Sequence, residues 1–121
     1  MPLLTEINFH RHSRVLDLSF DDATQFSLPA ELLRVYSPSA EVMGHGPGQR
    51  VAQLGKEQVN IERIEPVGNY AVCLHFDDGH NTGIFSWEYL YKLGRDQTDL
   101  WAAYLAELKD AGYQRKTEST H

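Results

Sequence analysis

The amino-acid sequence predicts a single small α+β domain, mainly antiparallel sheet with two short helices and one longer C-terminal helix. Three observations carry that expectation. Apolar residues recur at every second position in several short segments up to Phe85, the period of a half-buried strand. Near the C-terminus they recur instead at i, i+3 and i+4, the period of a helix. An internal echo joins the two halves: Leu16-Asp17-Leu18-Ser19-Phe20-Asp21-Asp22 matches Val72-Cys73-Leu74-His75-Phe76-Asp77-Asp78. One inserted residue later, Leu28, Glu31 and Leu33 match Phe85, Glu88 and Leu90, so each half reads as strand, turn, strand, short helix. Two copies are too few for a solenoid, which leaves one sheet with helices packed on it as the expected architecture.

In chain order, Leu4 to Phe9 and Arg14 to Phe20 are the first two strands, with His10-Arg11-His12-Ser13-Arg14 as the hairpin turn between them. Asp21 to Thr24 supplies turn chemistry, and Gln25 to Leu28 is a short third strand. Pro29 suits the first position of a helix running to about Tyr36, because the N–H it lacks is one that a helix start leaves unpaired. From Ser37 to about Gln58 the periodicity lapses, and Gly44, Gly46, Pro47, Gly48 and Gly55 mark an irregular loop. Val59 to Pro66 and Tyr70 to Phe76 are the next strands, and Asp77-Asp78-Gly79 signals the tight turn after them. Asn81 to Phe85 returns as a strand, and Ser86 caps a short helix that Gly94 stops. Asp96 opens the last helix, on which Leu100, Trp101, Tyr104, Leu105 and Leu108 recur at helical spacing until Gly112. The domain is thus expected over residues 1–113, with 114–121 as a flexible polar tail.

With 121 residues, 41% of them hydrophobic, the chain is long and apolar enough to bury a core of its own. Its apolar runs, such as Tyr70 to Leu74, fall far short of the ~20 residues of a spanning helix, so no membrane partner is expected. The N-terminus reads as no secretion signal and the single Cys73 allows no internal disulfide, which together point to the cytoplasm. A net charge of −6 opposes attraction to phosphate backbones, so nucleic acid is not an expected partner either.

Several constellations carry the residue types of chemistry. His75-Phe76-Asp77 has the H-x-D spacing of the two-histidine, one-carboxylate iron triad. Only His80 and His121 follow to complete it, and Ser19-Phe20-Asp21 stands at the echoed place, so the motif reads as strand end plus turn. His45, His75 and His80 with Glu41, Asp77 and Asp78 are side chains that suit zinc or iron, yet no spacing enforces a site. Gly44-His45-Gly46-Pro47-Gly48 reads as a flexible loop rather than an anion nest, since Pro47 has no N–H to offer. Ser37-Pro38-Ser39 reads as a helix stop, with no histidine at a spacing that suggests a base. Cys73, mid-strand, reads as a small packed side chain rather than a reactive thiol. Trp87, Tyr89, Tyr91, Trp101 and Tyr104 fall at helical spacing and read as core before they read as a partner surface.

Two segments resemble the signature of a known family: Leu33 to Val42 with its Gly44-His45-Gly46 continuation, and Phe76 to Leu90. The chain is similar to the gamma-butyrobetaine hydroxylase-like N-terminal domain family, a former domain of unknown function, in the manner of a stand-alone bacterial-type member. In the hydroxylases of carnitine synthesis this domain precedes a larger 2-oxoglutarate- and iron-dependent catalytic domain, and it binds a structural zinc through a C-x-C-x-x-C cluster and a distant histidine. The resemblance puts Ser37, Ser39 and Val42 at the three cysteine positions and His80 at the histidine, so three of the four zinc ligands are replaced. Serine is a poor zinc ligand at neutral pH and valine is none. The jelly-roll catalytic domain has no counterpart among these residues. Related domains also occur appended to P-loop ATPases that resemble iron–sulfur cluster carriers, an analogy that touches iron metabolism.

The resulting expectation is a non-enzymatic accessory or protein-binding module with no catalytic residues and no cofactor, whose partner is another protein. Its expected contact surface is the loop from Ser37 to Gln49 beside the Asp78-Gly79-His80 turn, with Glu41, His45, Asp78 and His80 as contacts. The alternative is an iron- or zinc-binding protein that uses His80 with His45 and nearby acids.

Overall fold

The computed structural model describes residues 2–44 and 50–116. Its first unit is a meander of three antiparallel strands, β1 (Leu4–His10), β2 (Val15–Phe20) and β3 (Gln25–Pro29), that runs directly into helix α1 (Ala30–Val35). After a one-turn helix α2 (Ala40–Met43), the second unit repeats the plan with β4 (Ile61–Val67), β5 (Ala71–Phe76), β6 (Ile84–Ser86) and α3 (Trp87–Arg95). Helix α4 (Gln97–Asp110) completes the chain order.

The echo in the sequence is a structural repeat, down to register. Leu18 pairs with Ile7 as Leu74 pairs with Ile64, and Leu16 pairs with Leu28 as Val72 pairs with Phe85. Both outer strands shift register at the same place, between Leu4 and Glu6 in β1 and between Ile61 and Arg63 in β4. The turns match as well. Phe20 N–H donates to the Thr24 carbonyl and Phe76 N–H to the His80 carbonyl, each at 2.9 Å. Asp21 accepts from the Leu3 amide and Asp77 from the Asn60 amide, each at 3.0 Å.

The strands form two three-stranded sheets, not the one sheet expected. Each unit satisfies its central strand with its own hairpin and its own third strand. The third strands lead into helices at Pro29 and Ser86, and the pairing register is interrupted in both β1 and β4. The two units share one core instead: Leu16, Leu18 and Phe20 on β2 cluster with Val72, Leu74 and Phe76 on β5, and α4 adds Tyr104 and Leu108. The alternation that predicts strands is therefore also what makes this core, since every second residue of each central strand is buried.

Helix ends depart from expectation in instructive ways. Pro29 is the last residue of β3 and the N-cap of α1, with φ −64°. Ser86 caps α3 as expected, its hydroxyl accepting from the Tyr89 amide at 3.1 Å. Gly94 does not stop α3 but lies inside it, where a Cβ would come within 2.3 Å of the Phe26 ring, so its smallness serves packing. Asp96 occupies the N-cap position of α4, yet its carboxylate turns to Arg95 at 3.0 Å and caps nothing. Leu105 faces outward, 41% exposed, while Trp87, Tyr89, Tyr91 and Trp101 pack against the core. Of the segment read as a flexible tail, Arg115 and Lys116 are tied to Glu31 and Glu57, and residues 117–121 lie outside the described ones.

Candidate functional site

His80 sits in the β5–β6 turn, and its position follows from the residues before it. Gly79 takes a φ of +90°, a conformation that side chains resist, and this lets the chain reverse so that the His80 amide donates to Asp78 Oδ1 at 3.1 Å. The ring is thereby turned inward, with the side chain only 2% exposed. There it meets the segment that follows α1. His80 Nε2 lies 2.9 Å from Ser37 Oγ and 3.3 Å from Ser39 Oγ. Ser37 is fully buried, and the close approach needs Gly83 opposite it, because a Cβ there would come within 2.1 Å of the Ser37 hydroxyl. Phe26 against Gly94 is the same contact in the repeat with the large and small partners exchanged.

The electrostatics favour a neutral ring. Burial pulls the His80 pKa below the ordinary imidazole value, Arg34 adds to that, and Glu41 and Asp78 oppose it. A neutral imidazole with Nε2 accepting a serine hydroxyl proton carries its own proton on Nδ1, the side that faces Glu41 Oε1 at 3.9 Å. Beside it, Asp78 accepts from Arg34 Nε at 2.8 Å and from Lys56 Nζ at 2.6 Å. Burial would raise the Asp78 pKa, but the Lys56 ammonium, the His80 amide and the Arg34 guanidinium outweigh it and hold the carboxyl at about 2. Arg34 also donates to Gln53 Oε1 at 3.0 Å, so this one guanidinium links α1 to both Gln53 and the turn.

Ser37, His80 and Glu41 stand in the order of nucleophile, base and acid, a relation that residue spacing had not revealed. The arrangement does not suit catalysis, because the Ser37 hydroxyl is enclosed and the imidazole-to-carboxylate distance exceeds a hydrogen bond. Nor does it fit zinc. The four family positions offer one imidazole, two hydroxyls and the alkyl side chain of buried Val42, and zinc needs thiolates, imidazoles or carboxylates in their place. Among the described residues no group of three or more His, Cys, Asp or Glu is placed to hold a metal.

The remaining candidates are dispersed. His75 Nε2 pairs with Glu65 at 3.0 Å, and Asp77 holds the Asn60 amide, so the H-x-D side chains serve strand and turn. The Cys73 thiol donates to the Asn81 carbonyl at 3.1 Å, and burial pushes its pKa up, away from a reactive thiolate. Of the four expected contact residues, Asp78 and His80 have internal partners and Glu41 is exposed, accepting from the Thr82 hydroxyl. His45 lies outside the described residues. No helix is long and apolar enough to cross a membrane among the described residues.

A family model described as gamma-butyrobetaine hydroxylase-like, N-terminal, matches residues 7–91, which covers most of both repeat units and ends before α4. No curated protein matches the chain at a significant level. Among solved structures, one determined in solution by NMR is 51% identical, with all of this chain and 94% of that one aligned at a TM-score of 0.81. A second NMR structure is 48% identical over 99% of this chain and 95% of its own, with a TM-score of 0.82. A crystal structure of an Acidithiobacillus ferrooxidans protein of unknown function, from the DUF971 family, is 43% identical over 75% of this chain and 91% of its own, at a TM-score of 0.64.

Proposed function

Because the chain belongs to the gamma-butyrobetaine hydroxylase-like N-terminal family, and the family's zinc positions carry hydroxyls and an alkyl group here, we propose that it is a metal-independent, non-enzymatic accessory module that binds another protein in the cytoplasm. The observation that carries this reading is the buried Ser37–His80–Ser39 cluster: its polar groups satisfy one another, so it braces the segment after α1 instead of reacting. Together with the Arg34–Asp78–Lys56 pairs it ties the segment after α1 and the stretch around Lys56 to the β5–β6 turn, a fixed setting of the kind that recognition commonly uses. Glu41 and Thr82 form the exposed rim of that region and are the contacts the partner would meet.

Two measurements test it. Protein purified without chelator should contain no stoichiometric iron or zinc and should keep its melting temperature in excess chelator; metal lost on His80→Ala would overturn the metal-independent reading. Affinity purification followed by binding assays with the recovered protein should show a partner released by Glu41→Lys at unchanged melting temperature. Partners indifferent to that charge reversal would place the contact elsewhere.

A further inference from the structure

The repeat makes the two helices α1 and α3 equivalent, and their surroundings differ. The Ala30 amide donates to the Arg14 carbonyl as the Trp87 amide donates to the Tyr70 carbonyl, each at 2.9 Å, so Glu31 and Glu88 occupy matched places in the first turn. In the first unit that place is covered by the chain's own C-terminal segment. Glu31 is buried, accepts from the Tyr104 hydroxyl at 2.6 Å, and takes a two-pronged ion pair from Arg115 at 2.8 and 2.5 Å. The Arg115 guanidinium also lies 5.4 Å from the Trp101 ring centre.

In the second unit the matched place is open. Glu88 is exposed and forms no hydrogen bond or ion pair with the described residues. Around it Leu3, Tyr70, Ser86 and Trp87 line a groove of about 230 Å³, against about 140 Å³ for the counterpart, whose wall includes Arg115. Leu3 is 55% and Tyr70 57% exposed, so both are open to solvent beside this carboxylate. Leu3, Tyr70 and Trp87 supply apolar surface and two aromatic rings, and Glu88 is the single charge in the lining.

We infer that the groove between Tyr70, Trp87 and Glu88 is a binding site for an arginine-bearing peptide segment of another protein, engaged as Arg115 engages Glu31. The guanidinium would form the two-pronged pair with Glu88 and lie on an aromatic face, as its counterpart does beside Trp101. This surface is separate in sequence from the Glu41 rim, and the variants that test the two do not overlap.

The test uses the full chain and, as probe, a synthetic peptide with the sequence of residues 110–116, the segment that serves the matched place. In an NMR titration the amide signals of Tyr70, Trp87 and Glu88 should shift saturably. Glu88→Arg in the protein, or glutamine for arginine in the peptide, should each weaken binding by at least about tenfold, as loss of a charge-assisted pair does. Tyr70→Ser, an exposed change that leaves the charge in place, should weaken it less. Shifts confined to Glu31 and Tyr104, or no shift, would overturn the assignment. So would dimerisation, without peptide, that perturbs the same three residues, since the groove would then belong to a second copy.

Discussion

At the scale of single residues, His80 and Asp78 both disfavour acid, each in its own pH range, and both signs follow from their surroundings. Burial holds the His80 pKa in the folded protein below the ordinary imidazole value of 6.5. Above that value neither the folded nor the unfolded chain carries the proton, so His80 gives no pH dependence. As pH falls through it, the unfolded chain binds a proton that the folded one refuses, and stability declines by at most about 1.4 kcal/mol per pH unit. Asp78 acts lower down: its stabilisation is full above 3.8 and is lost as pH falls towards about 2. The melting temperature should therefore drop between pH 6.5 and 5, and the drop should be shallower in His80→Gln, which keeps a hydrogen-bonding group near Ser37 but cannot titrate. An equal slope in the variant would assign the acid sensitivity to other groups.

Among elements, the contacts that join the units depend on one small residue each. Replacing Gly94 by alanine puts a methyl group into the Phe26 ring, and overpacking of that kind costs about 1–3 kcal/mol. Phe26→Leu with Gly94→Ala should recover part of the loss, and chemical denaturation of the three variants would measure the coupling. If Gly94→Ala instead stabilised the protein, as a glycine-to-alanine change in an unhindered helix does, the packing role would be wrong. This contact also shows what the sequence could convey. The strands were legible because alternation reports burial one residue at a time, and Ser86 was legible as a cap because capping is local. Gly94 read as a stop because a glycine required by a neighbour looks the same in sequence as one required by its own backbone. Helix α2 is four residues long, too short for any period to register. Whether six strands make one sheet or two is a matter of edges, and edges leave little periodic trace. The Ser37–His80 bond joins residues 43 positions apart in different units, so spacing could not find it; the family resemblance had placed both at one point, which was the available signal.

For the whole molecule, the decisive feature is that a symmetric pair of units carries an asymmetric cover. All six residues of α1 are buried, Glu31 and Arg34 included, whereas α3 leaves Glu88, Lys92 and Arg95 exposed. The cover is α4 with the segment after it, and besides the apolar side chains that α4 adds to the core it is held by polar contacts: Tyr104 and Arg115 hold Glu31, while Tyr113 and the Lys116 amide hold Glu57 at 2.7 and 2.6 Å. Glu57 is kept below the usual carboxylate range although burial pushes it the other way, because those donors outweigh desolvation. A buried carboxylate deprived of its cation is more damaging than a buried pair removed together. Arg115→Ala should thus destabilise the chain by about 2–3 kcal/mol, since it takes the cation from a carboxylate that is buried in the intact protein and leaves it the Tyr104 hydroxyl as side-chain donor among the described residues. Adding Glu31→Gln to Arg115→Ala should return part of that loss, because the amide needs no counter-ion, and urea unfolding of the two single variants and the double would give the coupling. A double variant as unstable as the sum of the singles would mean that the C-terminal segment is held by its apolar contacts, with the ion pair incidental to it.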